Sequence, residues 1–249
     1  SEPQYLKRLT TTLNQVTQAD GARTQTVADS GFYAWTKYYQ TSPNTPNAVV
    51  SYYTKGALVA WCMDLHIRRA SAQQHSLDDI MRDLWAAFGR DFYAPNHAQK
   101  GVVLADIVAA CVRVAPDMAA VLERMLFSTD DLPLVELCAA NGLNLTHEPA
   151  SAPALGATVT KMDGGYQITR VANHGAAQQA GLAPDDVLIA FDQLKLTQPP
   201  EATLARYPLN HVITVHFWRD DALNHTTLHN APAPHGAYQL TAAQSVQKE

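Results

Sequence analysis

Residues 164–192 read Gly164-Gly165-Tyr166-Gln167-Ile168-Thr169-Arg170-Val171, three further residues, then Gly175-Ala176-Ala177-Gln178-Gln179-Ala180-Gly181-Leu182-Ala183-Pro184-Asp185-Asp186-Val187-Leu188-Ile189-Ala190-Phe191-Asp192. Tyr166 to Val171 alternates as a half-buried strand does, and Val187 to Phe191 is a short apolar run that fits a second strand. Between them, Ala176 to Ala180 has the composition of a short helix ended by Gly181, and Ala183-Pro184-Asp185-Asp186 is a turn. Working outward, Thr158 to Lys161 precedes this unit, and Val212 to Trp218 and Leu223 to His229 follow it as further short strands. Glu201 to Tyr207 supplies a second helical piece. Residues 149–230 are therefore expected to form a small strand-rich α+β domain.

Upstream the period changes. The stretch Thr146-His147-Glu148-Pro149-Ala150-Ser151-Ala152-Pro153 is rich in Pro and small residues and marks a boundary. Residues 1–148 carry three- and four-residue apolar spacing throughout. Ser1 caps a first helix with Leu6, Leu9, Leu13 and Val16 on one side. Phe32, Trp35 and Tyr39 mark a short helix, and Ser51 to Ala70 a long one that is apolar nearly all round, as a helix buried between others is. Ser76-Leu77-Asp78-Asp79 resembles a capping box with Asp in place of Glu. It opens a helix through Ile80, Leu84, Trp85 and Phe88 that Gly89 can close. Val103 to Val114, Asp117 to Phe127 and Leu134 to Ala140 complete the set, the last closed by Gly142. The expected fold class is multidomain, an all-α helical subdomain (1–148) followed by the α+β domain (149–230). A weakly patterned tail (231–249) is expected to be partly disordered. A chain that opens inside a helix suggests a fragment.

Composition narrows the function. The 249 residues correspond to about 1.7 domains of ordinary size, and with 47% hydrophobic against 16% charged residues the chain has material for packed cores. Lys+Arg 18 against Asp+Glu 23 gives a net charge of −5, without blocks of like charge. Nucleic-acid partners and a basic membrane-surface helix are thereby disfavoured, and no apolar run reaches the ~18 residues of a membrane span. Cys62, Cys111 and Cys138 are odd in number and widely spaced, so reduced core thiols are expected. Such unpaired cysteines favour a cytoplasmic compartment, although neither signal nor anchor is legible to fix it.

The 164–192 unit and its flanks resemble a bacterial PDZ domain. The departure is Asp185, where the turn usually has Gly; Asp tolerates a left-handed backbone better than most residues. The resemblance implies that an extended peptide adds as a strand along Thr158 to Lys161, opposite the helix at Glu201 to Tyr207. Its C-terminal carboxylate would be held by backbone N–H groups of Ala154-Leu155-Gly156-Ala157, so Leu155, Gly156 and Ala157 are the expected peptide-binding residues. The other reading of this domain is an appendage whose groove is taken by its own chain. His225 and His229 lie on a strand, where residues four apart stand too far from each other to share a metal.

The first half, through Trp35-Thr36-Lys37-Tyr38-Tyr39, Ser42-Pro43-Asn44, Val50-Ser51-Tyr52-Tyr53-Thr54-Lys55-Gly56-Ala57-Leu58-Val59-Ala60, Ser76 to Trp85, and Asp131-Leu132-Pro133-Leu134, resembles the glycyl aminopeptidase family of thermolysin-like zinc metallopeptidases, the gluzincin type, whose members carry a PDZ domain after the catalytic region. That family holds zinc with H-E-x-x-H on one helix and a Glu on the next, the motif Glu acting as general base. None of the ten His here stands in such a motif; His147-Glu148 continues Pro149-Ala150-Ser151. The resemblance implies zinc in the intact enzyme, no metal ligands in this chain, and an inactive chain when alone. It also implies that Tyr53, in Tyr53-Thr54-Lys55-Gly56, is the catalytic residue that stabilises the oxyanion. Tyr53 shares a helix face with Gly56, Ala57, Ala60 and Asp64, whereas Tyr52 lies about 100° around the axis, so the two are not expected to point at one carbonyl. Lys55 is expected to be structural, and Asp64 and His66 to make polar contacts within the bundle. The leading expectation is thus the C-terminal part of a zinc aminopeptidase hydrolysing peptide or protein substrates. The alternative is a non-catalytic peptide-binding scaffold working through the PDZ groove.

Overall fold

The computed structural model describes residues 1–95 and 99–243; His97 and the tail from residue 244 lie outside the described residues. The chain is a multidomain helix-plus-sheet protein. Its helical half contains α1 (Glu2–Thr17), α2 (Gly21–Thr24), α3 (Val27–Phe32), a π-helical turn (Ala34–Tyr38), α4 (Thr45–Ala48), α5 (Tyr52–Ala70), α6 (Leu77–Leu84) with a second π-helical turn (Trp85–Gly89), α7 (Leu104–Val112), α8 (Met118–Phe127) and α9 (Leu134–Ala140). The chain continues through β1 (Leu143–Glu148), β2 (Pro153–Ala154), β3 (Ala157–Met162), β4 (Gly165–Val171), α10 (Ala176–Gln179), β5 (Val187–Phe191), β6 (Leu194–Lys195), α11 (Pro200–Leu204), β7 (Val212–Arg219), β8 (Ala222–His229), β9 (Ala231–Pro232) and β10 (Ala237–Ala242).

Helix α5 organises the helical half. Leu58, Trp61, Cys62, Leu65 and Ile67 are buried in one apolar cluster with Leu13 and Val16 of α1, Ile80, Cys111, Leu122 and Leu137. Burial around most of its circumference is what its sequence predicts for a central helix. The Ser76–Asp79 capping box forms as expected, with the Ser76 N–H donating to the Asp79 carboxylate at 2.9 Å. That bond, foremost, holds the Asp79 carboxyl below its usual range. All three cysteines are free and buried, and burial pushes the Cys62 thiol up to about 12, the state of a packing residue and not of a nucleophile. Phe32, Trp35 and Tyr39 fall on the end of α3 and the π turn beyond it, and they face solvent.

The sheet half has its own core, centred on Ile168, Leu188, Phe191, Ile213, Val215 and Leu228. Among the described residues its strands run antiparallel in the order β3-β4-β5-β7-β8, with β6 added to β5 and β3 at one edge. Asp185 has φ +74°, so the turn keeps the left-handed conformation expected of it. Asp186 is buried with a 1% exposed side chain. It accepts from Arg219 through both Nε and Nη2 at 2.8 Å and from the Ala183 N–H at 2.8 Å, which ties the turn before β5 to the end of β7.

Two expectations are corrected. The first half is not purely helical, and residues 231–242 are not an unstructured tail. β10 pairs antiparallel with β1 over six residues from Leu143↔Ala242 to Glu148↔Ala237, and β9 pairs with β2. The cause is tertiary. Leu240 is 6% exposed and joins the helical core, with Leu143, Leu145 and Tyr238 packed against it. The Asn14 side chain donates to the Tyr238 carbonyl at 3.0 Å and accepts from its N–H at 2.8 Å, as a neighbouring strand would. Apolar residues this sparse gave no local periodicity to read.

The Asp186–Arg219 pair makes a stability prediction. Arg219 is 45% exposed on its side chain, so losing Asp186 lets it turn to water, whereas losing Arg219 strands a buried carboxylate. Arg219→Met is expected to cost about 3 kcal/mol and Asp186→Asn less, as read by urea unfolding; the reverse order would show that the pair is not what secures the turn.

Candidate functional site

The site of interest is a tyrosine cluster at the N-terminus of α5. Ser51 caps the helix, its hydroxyl accepting from the Thr54 N–H at 3.2 Å and donating to the Tyr38 hydroxyl at 3.2 Å. The cap thereby joins α5 to the π turn and puts Tyr52 and Tyr53 in the first helical turn facing it. On the other side, the Tyr39 N–H donates to the Ala34 carbonyl at 2.9 Å, a five-residue span that sets its side chain off the α-helical register. The Tyr39 hydroxyl then lies 3.0 Å from that of Tyr52 and 3.1 Å from that of Tyr53. The Tyr52 and Tyr53 rings pack with centroids 4.3 Å apart, and Tyr38 packs edge-on against Tyr39 and Tyr52 at 5.3 Å.

The hydroxyls of Tyr52 and Tyr53 converge although the two residues start about 100° apart around the helix axis. Their Cβ bonds diverge around the axis, but each phenol is long enough to bend back, and both hydroxyls reach the same oxygen on Tyr39. Hydrogen bonding separates their acidities. The contacts to Tyr39 and then Tyr52 hold Tyr53 below the ordinary tyrosine value, while the contacts to Tyr39 and Tyr53 push Tyr52 far above it. Tyr39 also ends above its usual value, the lowering effect of Tyr52 being outweighed by the Tyr53 bond, desolvation and the adjacent phenols. Tyr53 is 58% exposed and thus open to a ligand.

Beside Tyr53 the face is open at Gly56 and Ala57. A Cβ placed on Gly56 would meet no atom within 4 Å, and Ala57 is exposed, so no neighbouring helix packs there among the described residues. Lys55 turns the other way. It is buried, and its ammonium donates to the Ala22 carbonyl at 2.8 Å, while desolvation lowers its pKa. That is a structural tie between α5 and α2, as expected. Asp64 binds Arg68 at 2.7 Å and the Leu77 N–H at 2.9 Å, and His66 meets Asp117 at 2.8 Å; both stay inside the bundle. The sequence did not single out Tyr39 as a member of the site, though the doublets Tyr38-Tyr39 and Tyr52-Tyr53 carry the signal.

A second concave region lies at the edge of the sheet. A cavity of about 300 Å³ is bounded by Gly156, Ala157, Thr158, Arg170 and Glu201, and by Ala233, Pro234 and His235. Leu155 is fully buried, and its carbonyl accepts from the Ala177 N–H at 2.8 Å; Gly156 has φ +72° and its carbonyl accepts from the Ala172 N–H at 2.8 Å. The Leu155 side chain is therefore an anchor for the loop, while Gly156 and Ala157 line the cavity. Residues 233–236 are held beside it by His235 on Asp20 at 2.9 Å and by Gln18 on the Gly236 carbonyl at 3.2 Å. His225 lies across from His216, with ring centroids 6.1 Å apart. Among the described residues, no three or more His, Cys, Asp and Glu side chains are grouped to hold a metal ion, and no helix is long and apolar enough to cross a membrane.

The M61 glycyl aminopeptidase family model matches residues 1–59, a stretch that contains the whole tyrosine cluster. In structure the chain is similar to an aminopeptidase N family protein from Idiomarina loihiensis, with 31% identity and a TM-score of 0.85. The match covers 98% of this chain and 43% of that one, so the chain spans less than half the length of this relative. Shorter matches reach the HtrA-type protease AlgW with decapeptide (20% identity, TM-score 0.31, 33% of this chain and 30% of that one) and a serine endoprotease from Yersinia pestis (18%, 0.29, 32% and 29%). No curated protein matches the chain. The family match and the Idiomarina relative together support a peptidase.

Gly156 sets the shape of the loop beside the cavity. A Cβ there would stand 2.8 Å from the Gly175 Cα, on a backbone that L side chains rarely adopt. Gly156→Ala is expected to destabilise the sheet half by about 2 kcal/mol or more, as a fall in thermal midpoint; an unchanged midpoint would show that the loop relaxes freely.

Proposed function

We propose that this chain forms part of a zinc-dependent aminopeptidase, in which its tyrosine cluster faces the scissile peptide bond. The observation that supports the reading most is the coincidence of the glycyl aminopeptidase match with an exposed tyrosine hydroxyl held below its ordinary pKa at a helix N-terminus. The metal does not fit the residues present, since none of the described His, Cys, Asp and Glu clusters as ligands do. In this reading zinc belongs to residues outside the 249, and it would supply activation of the attacking water.

The part played by this chain is electrostatic. As the carbonyl carbon becomes tetrahedral its oxygen gains negative charge, and a hydroxyl already fixed in place stabilises that charge without reorganising. The Tyr53 hydroxyl is such a donor. It is exposed, on the first turn of α5, and more acidic than a free phenol, which strengthens the bond it donates. Large rings stand uncovered at the cluster: Trp35, 79% exposed, packs on Tyr39 with ring centroids 5.1 Å apart, which fits a surface that another protein segment covers.

The cavity at Gly156 favours a second function in the same molecule. Residues 149–230 act as a PDZ domain, with Gly156 and Ala157 presenting backbone to the carboxylate of an extended peptide and the β3 edge receiving its strand. The non-catalytic scaffold differs from the aminopeptidase in needing only this groove.

In the whole enzyme, Tyr53→Phe is expected to lower kcat by about 10²–10³ with little change in KM; an unchanged kcat would remove Tyr53 from the mechanism. The donor must keep its proton, and because its pKa is lowered, that proton is lost as pH rises through a value below the usual 10.0. The alkaline limb of kcat should therefore fall below the pH at which an ordinary tyrosine ionises, and vanish in Tyr53→Phe. Metal analysis separates the alternatives, since the whole protein should contain stoichiometric zinc and lose aminoacyl-substrate cleavage to a chelator, whereas the scaffold would contain none.

A further inference from the structure

Tyr39 does not lie on the helix that carries Tyr53, yet its hydroxyl is the atom on which the other two converge, at 3.0 Å from Tyr52 and 3.1 Å from Tyr53. A hydroxyl has one proton to donate and two lone pairs to accept with, so the middle member of a three-hydroxyl chain either accepts from one neighbour and donates to the other or accepts from both. Three arrangements satisfy both bonds, and in two of them Tyr53 donates inward. If Tyr53 donates inward to Tyr39, it offers a ligand only lone pairs. If Tyr52 donates to Tyr39 and Tyr39 to Tyr53, the Tyr53 proton is left free and points out of the cluster. The geometry points to Tyr39 as a positioning residue that relays the hydrogen bond from Tyr52 to Tyr53 and turns the Tyr53 proton outward, toward the oxygen of a bound carbonyl.

Several observations on the frame support the relay. Tyr39 is fixed at its backbone by the π-type bond to the Ala34 carbonyl, and at its ring by Trp35 at 5.1 Å and Tyr38 at 5.3 Å. Tyr52 and Tyr53 are fixed by the Ser51 cap, which also binds Tyr38. The hydroxyls therefore meet because two separate elements are pinned. The titratable groups facing Tyr53 are phenols, Tyr38 and Tyr39 from the π turn and the residue after it, and Tyr52 from α5 itself. Lys37, on the same turn, holds its ammonium 4.8 Å over the Tyr33 ring. Along the relay, the group that only donates, Tyr52, is the least acidic, and the group that accepts and is left free, Tyr53, is the most acidic. Bonds in such a chain polarise one another, so Tyr53 becomes a better donor than a lone phenol.

The convergence on Tyr39 stands on the geometry of the cluster, and the outward direction of the Tyr53 proton toward a carbonyl rests on the aminopeptidase reading. The test labels the whole protein with ¹³C at tyrosine Cζ and assigns the Tyr53 resonance by its absence from Tyr53→Phe. In the wild type that resonance should titrate at lower pH than an ordinary tyrosine. In Tyr39→Phe its midpoint should move up, with kcat falling about tenfold and KM little changed. Tyr52→Phe leaves the Tyr39–Tyr53 bond in place, so it should move the midpoint less. A Tyr53 midpoint unaffected by Tyr39→Phe, or moved more by Tyr52→Phe, would overturn the relay. A midpoint that moves as expected while Tyr53→Phe leaves kcat intact would keep the relay and remove the oxyanion role.

Discussion

The antiparallel ladder between β1 and β10 is the constraint on which the rest of the molecule depends. The chain leaves the helical half at Glu148 and returns at Ala237, and these two residues are partners in the register. The sheet half is thus a closed excursion whose two ends are held side by side. Loop-closure entropy grows only slowly with length, and the returning strand is secured on arrival. Leu240 enters the helical core, and Asn14 completes the strand edge with both its amide oxygen and its nitrogen. Asn47 adds a tie at the other side, donating to the Val171 carbonyl at 2.8 Å and accepting from the Asn173 N–H. These bonds fix the groove beside Gly156 next to the end of α1, where residues 233–236 form one of its walls.

The tyrosine cluster depends on a smaller version of the same device. A Ser at the N-cap of α5 is a common feature and the π turn before it a rare one. Joined through the Ser51–Tyr38 bond, they bring residues 14 positions apart in sequence into one hydrogen-bonded group. The helix supplies rigidity, and the π turn supplies the offset. Outside the cluster, the face that continues along Gly56 and Ala57 has small side chains and no close neighbour, so access to the Tyr53 hydroxyl is unobstructed. Buried groups nearby, such as Lys55 and His66, are committed to partners inside the bundle and leave the chemistry of the surface to phenols.

Much of this was legible residue by residue. The apolar circumference of α5, the Ser76–Asp79 box and the left-handed Asp185 turn are local, and a single window of sequence contains the whole cause of each. Tyr53, Gly156 and Ala157 enter as candidates through the motifs in which they stand. What stayed hidden was contact between windows. The residues that make β10 a strand, Tyr238 and Leu240, have no alternating pattern strong enough to mark it, and only β1 and the helical core give that segment a partner. Tyr39 likewise looked like the last apolar residue of a short helix, because nothing within its own turn reveals a hydroxyl across the gap.

The sequence by itself determined the main helices, the longer strands of the sheet half and the Asp185 turn, since helix period, capping and turn geometry act over a few residues. Tertiary structure alone decided that Tyr52 and Tyr53 converge on Tyr39, and that β10 returns to the first half of the chain. Both outcomes rest on pairing between groups far apart in sequence, whose energies exist only once the helical core has brought them within hydrogen-bonding distance.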